Sequence, residues 1–183
     1  MSTYFDRPLV ITTQSLINIC STGYAEQILE AIPVAVAVPS CILQPPNEEI
    51  DHLPRDFPSL RQLLETMIAK ETLRLVAPQT DSEWLRFFDA SSKRPQTQKS
   101  SGHVVCAIAP ERTWGIVSDQ PIVHQFGEQC TPQIPVLTTS VIIHNWYEAK
   151  SIPIGQLRTV LTRAKASVLY RVFPDDPLFD WLY

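Results

Sequence analysis

The residues with chemistry to offer stand at the ends of apolar runs. Pro8-Leu9-Val10-Ile11 leads straight into Thr12-Thr13-Gln14-Ser15, and Trp114-Gly115-Ile116-Val117 leads into Ser118-Asp119-Gln120. Open parallel sheets bind ligands beyond the carboxyl ends of their strands. The hydroxyls of Thr12, Thr13 and Ser15 and the carboxylate of Asp119 fall at that edge if both runs are strands. The hydroxyl cluster has no obvious base beside it, so capping the following helix is a plainer role for it than nucleophilic attack. Asp119 precedes Pro121 by two residues and is placed to cap a helix beginning there.

Other chemistries lack their signatures. The chain has only 5 glycines, and none falls in a G-x-G-x-x-G or G-x-x-x-x-G-K phosphate loop or a G-x-S-x-G elbow. Cys20, Cys41, Cys106 and Cys130 form no close pair. They read as free thiols of a reducing compartment, which implies a cytoplasmic protein. His52, His124 and His144 share no metal-ligand spacing. The net charge of −4 does not advertise nucleic-acid binding. The charge is uneven, however: from Lys150 to Arg171 come Lys150, Arg158, Arg163, Lys165 and Arg171 with no acidic residue. That stretch is either a solvated helix face or a basic contact patch. No apolar run approaches ~18 residues, so no membrane partner is expected. The first seven residues lack the pattern of a signal peptide.

The elements that must position these groups follow from the hydrophobic pattern. With 183 residues, 44% of them hydrophobic, the chain is long enough for one domain with an ample core. Leu9–Ile11, Val34–Val38, Leu73–Val76, Trp114–Val117 and Ile134–Leu137 read as five strands. Pro135 argues for an edge position of the last. Helices are expected at 14–20, 25–31, 60–70 (capped by Ser59), from Asp81 or Ser82, at 102–109, through Val123 and Phe126, from a Thr139 or Ser140 cap, and after Pro153. Gln44 to Pro58 and Ser91 to Ser101 read as surface loops. The tail is aromatic, with Phe173, Phe179, Trp181 and Tyr183. Alternating strands and helices predict a three-layer α/β/α fold with a mostly parallel five-stranded sheet. The expected organisation is an α/β domain over 1–150, with a C-terminal helix and aromatic tail over 151–183 packed on it.

The order of these pieces resembles that of PIN domains, a metal-dependent nuclease fold. The resemblance is carried by Val10-Ile11-Thr12-Thr13-Gln14-Ser15-Leu16-Ile17, by Val36-Ala37-Val38-Pro39, by Gly102-His103 through Ala109 leading to Trp114-Gly115-Ile116-Val117-Ser118-Asp119, and by Ile134-Pro135-Val136-Leu137-Thr138. It spans roughly residues 9–146 and rests on order more than on identities. It implies three or four carboxylates converging on Mg²⁺ or Mn²⁺, which activate water for attack on a phosphodiester. Carried across residue by residue, the first family Asp falls on Thr12. The next acidic position falls near Gln44, and the one after Gly falls on His103. The Asp ending the fourth strand is kept as Asp119, and the next position is Gln120. One carboxylate stands where three or four are needed, unless Glu48, Glu49, Asp51 or Glu111 substitutes.

The expectation is therefore a PIN-like domain that has lost metal-dependent ribonuclease activity, with no cofactor. It would act as an RNA- or protein-binding module. Thr12, His103 and Asp119 would form a relic acidic site, with His103 hydrogen-bonded to Asp119. Lys93, Arg94, Arg158, Arg163 and Lys165 would be the candidate nucleic-acid contacts. The alternatives are an active, toxin-like ribonuclease holding Mg²⁺ or Mn²⁺ at Asp119, and a subunit that dimerises or binds a protein through its aromatic tail.

Overall fold

A computed structural model describes residues 5–43, 60–92 and 101–166, together with Pro174, Asp176, Leu178 and Asp180. The expected helix cap Ser59, the loop cations Lys93 and Arg94, the substitute acids Glu48, Glu49 and Asp51, Gln44, and the tail aromatics Phe173, Phe179, Trp181 and Tyr183 lie outside the described residues.

Five strands form one all-parallel sheet: β1 (Leu9–Ile11), β2 (Val36–Pro39), β3 (Arg74–Val76), β4 (Gly115–Val117) and β5 (Val136–Leu137), in the order β3-β2-β1-β4-β5. Leu9 faces both Val36 and Gly115, so β1 is the central strand. Its three residues are all buried, because helices cover both faces. Leu9 and Ile11 enter one core cluster and Val10 the other, as the two-residue period of a strand requires. β5 lies at one edge, as its neighbouring proline predicts, and β3 at the other.

On the first face pack α1 (Thr13–Ser21), α2 (Ala25–Glu30), α3 (Leu60–Ala69), α7 (Thr139–Ala149) and α8 (Ile154–Ala166). Trp146 of α7 is fully buried in this cluster. Leu157, Val160, Leu161 and Ala164 of α8 belong to the same cluster, as does Leu178 from the tail. On the second face lie α4 (Asp81–Ser92), α5 (Ser101–Arg112) and α6 (Pro121–Gln129). Helix α5 is buried on nearly every side, so its apolar residues show no stripe. A Cβ on Gly127 of α6 would come within 2.7 Å of the Ile134 carbonyl oxygen, so only glycine allows α6 to lie so close to β5.

Several helix starts differ from expectation by one residue. The α7 cap is Thr138, whose hydroxyl accepts the Val141 N–H at 3.2 Å. Helix α4 starts at Asp81, one of the two expected starts, and Thr80 caps it: its hydroxyl accepts the Glu83 N–H at 3.2 Å, and Glu83 Oε2 accepts the Thr80 N–H at 3.3 Å. This reciprocal pair is a capping box. Glu83 also ties α4 to α5, because Arg112 donates to its Oε1 through Nε at 2.6 Å and to its Oε2 through Nη2 at 3.0 Å.

Candidate functional site

Strands β1 and β4 are neighbours whose following helices, α1 and α6, pack on opposite faces of the sheet. Their carboxyl ends define the place where parallel sheets bind ligands. Thr12 follows β1 there, and Ser118 and Asp119 follow β4. All three are fully buried.

Asp119 is held by donors from two helices. Its Oδ1 accepts the Thr139 backbone N–H at 2.8 Å. Its Oδ2 accepts the Thr139 hydroxyl at 2.6 Å, the Asn18 amide at 2.7 Å and the Ser15 hydroxyl at 3.1 Å. The Ser15 oxygen in turn accepts the Asp119 N–H at 3.0 Å. Ser15 and Asn18 lie three residues apart on α1 and so share one face. Thr139 is the first residue of α7. The carboxylate therefore sits against the N-terminal turn of α7, where the exposed N–H dipoles favour negative charge. Desolvation raises the Asp119 pKa above its ordinary value, and the donors from Thr139, Asn18 and Ser15 act against that rise.

The other expected site residues are placed as follows. Thr12 does not cap α1 through its side chain; its hydroxyl donates to the Val117 carbonyl at 3.3 Å and ties the end of β1 to that of β4. His103 is buried in the first turn of α5, two residues after Ser101, whose hydroxyl accepts the Thr13 N–H at 2.8 Å. His103 makes no hydrogen bond to Asp119; the carboxylate takes its donors from Ser15, Asn18 and Thr139. Asp119 does not cap α6 either. Gln120 is the residue before that helix, and Pro121 opens it without a side-chain cap.

Three partners of this region are not evident in the sequence. Asn18 carries a signal in retrospect, since its i,i+3 spacing from Ser15 puts two donors on one helix face. Thr139 reads locally as a cap rather than as a donor to a carboxylate. Asp176 reaches back from the tail, buried at 8% exposure, and accepts the Thr138 hydroxyl. Nothing local in the sequence announces that contact.

On α8, Arg158 and Lys165 are exposed. Arg163 serves the fold instead. It donates to the Thr22 carbonyl at 3.2 Å and lies 6.0 Å over the Tyr24 ring. Gly23, at φ +77°, supplies the left-handed turn beneath it. Among the described residues no three His, Cys, Asp or Glu side chains gather into a metal-binding group. All four cysteines are free of disulfides, and burial pushes the Cys20 thiol up to about 12, which leaves it unreactive. No helix of the described residues is long and apolar enough to cross a membrane.

The fold and site define a parallel α/β domain with a sealed carboxylate at its topological switch point. The sequence matches no protein-family model and no curated protein.

Proposed function

We propose that this chain is a PIN-like domain retired from metal-dependent cleavage and working as a binding module, with RNA along α8 as its ligand. One observation carries the first half. Both oxygens of Asp119 are engaged by four donors, and Thr12 at the neighbouring strand end offers a neutral hydroxyl. Mg²⁺ and Mn²⁺ select anionic oxygens in open geometry. This donor set does not suit them, because a cation there would have to displace Thr139, Asn18 and Ser15 from the one carboxylate. The second half rests on charge: α8 carries Arg158, Arg163 and Lys165 and no acidic residue, with Arg158 and Lys165 exposed.

Calorimetric titration with Mn²⁺ and Mg²⁺ tests the first half. No binding at millimolar metal is the expected result. Binding that disappears in a folded Asp119→Asn variant overturns it, and an active nuclease becomes the reading. Fluorescence anisotropy of a labelled single-stranded RNA tests the second half. Affinity should fall steeply with salt, and it should fall at every salt in an Arg158→Glu, Lys165→Glu variant. A salt-independent affinity, or one indifferent to both substitutions, removes α8 as the contact. A protein partner is the second reading, favoured by α4, where Trp84, Leu85 and Phe88 are 41%, 70% and 61% exposed.

A further inference from the structure

At the opposite end of the sheet from Asp119 lies a cleft of about 390 Å³. It opens where β4 and β5 begin, between α4, the end of α5 and α6. Its size falls within the ~300–1,000 Å³ typical of small-molecule sites. Among the described residues the charged side chains lining it are Arg7 and Arg86, with no carboxylate. Trp114 and Phe126 add ring surface, and Gln129 and Gln133 add amide groups.

Both arginines have donors to spare. Arg7 uses Nε and Nη2 on Asp6, each at 2.8 Å, which leaves Nη1. Arg86 gives only Nε to Glu111, at 2.7 Å, which leaves Nη1 and Nη2. The two ion pairs are substantially exposed, with side-chain exposures of 36% and 55% for Arg7 and Asp6 and 50% and 32% for Arg86 and Glu111. Such pairs hold weakly and yield readily to a competing anion. The positive field reaches the cleft wall: burial raises the Cys130 thiol pKa, and the Arg86 charge acts against that rise. A guanidinium fork matches a carboxylate or phosphate, and aromatic rings stack on flat ligands.

We infer that this cleft binds a small planar anion, a one- or two-ring aromatic bearing a carboxylate or a phosphate. This site is independent of the reading of Asp119 and of α8. The test is calorimetry, with the Trp114 indole N–H followed by NMR and assigned by Trp114→Phe. The probes are adenosine 5′-monophosphate and indole-3-carboxylate, with adenosine and inorganic phosphate as the separated halves. At least one of the two anions should bind saturably and shift the Trp114 signal. The separated halves should bind at least about tenfold more weakly. Arg86→Gln should weaken binding by about tenfold while leaving the fold intact, since Arg86 is exposed. Arg7→Gln is the second variant. Whichever anion binds tells phosphate from carboxylate. The inference falls if neither anion saturates by about 5 mM, if adenosine binds as well as its monophosphate, or if both arginine variants bind unchanged.

Discussion

Asp119 and Glu83 are buried carboxylates in two regions of the same molecule, each at most 1% exposed. Glu83 sits between α4 and α5 with a cation beside it. Arg112 grips both of its oxygens, and the N–H groups of Gln79 and Thr80 complete the set at 2.6 and 3.3 Å. Arg112 and these bonds hold its pKa below the usual carboxylate value. Asp119 sits at the switch point of the sheet with neutral donors, and burial wins: its pKa is raised. Hydrogen bonds alone satisfy the geometry of a buried carboxylate, but they do not remove the penalty of its charge. A counter-ion does. Glu83 is thus a fastener between two helices, while Asp119 is an anchor at the end of β4 around which α1 and α7 close.

Breaking each carboxylate in turn tests the comparison. Asp119→Ala removes the buried acceptor shared by the Thr139 N–H, the Thr139 hydroxyl and the Asn18 amide. It should lower stability by about 3 kcal/mol in urea unfolding. A loss under ~1 kcal/mol would mean that the donors find water, and that the site is open rather than sealed. Glu83→Ala should lower stability by about 2 kcal/mol, less than the first because Arg112 is 18% exposed and reaches solvent when released. An Arg112→Ala, Glu83→Ala cycle should show that the two losses are not additive, since they share one interaction. Thr139→Val removes one hydroxyl donor and keeps the backbone one, so about 1 kcal/mol is expected.

Acid sharpens the contrast. Glu83 has a folded pKa below its ordinary 4.5. Its contribution is complete above that ordinary value and is lost as the pH falls through the lower folded one. Asp119 has a folded pKa above its ordinary 3.8. Between the two values the folded state binds more protons than the unfolded state, so stability from this group rises as the pH falls into that window. Unfolding free energies of wild type, Glu83→Gln and Asp119→Asn between about pH 3 and 7 read both slopes. The gap between wild type and Glu83→Gln should shrink on acidification. Slopes of the same sign for the two carboxylates would sink the comparison.

The fold is legible in the sequence where burial leaves no choice. Leu9–Ile11 and Gly115–Val117 are apolar throughout because both faces of β1 and β4 are covered, and Pro135 marks the edge strand. The α7 cap slips by a residue because Thr138 and Thr139 are equally good caps locally. Where the strand or turn ends decides between them. Asp119 is legible as the carboxylate ending a strand, whereas its donors are not. Asn18 and Thr139 become partners of Asp119 only when α1 and α7 meet across the sheet. The role of Arg163 is hidden for a similar reason, since it binds a backbone carbonyl 141 positions away.

The central place of β1 has a consequence for how the protein is made. Thr12 is joined to Val117, 105 positions further along the chain. At a synthesis rate of ~5–20 residues per second, β1 waits roughly 5–20 s for the neighbour that covers its second edge. During that time β2 shields one side, and Val10 and Ile11 present an apolar, hydrogen-bond-hungry margin on the other. The nascent chain passes through a stage in which its eventual centre is its most adhesive surface, and β4 ends that stage when it arrives.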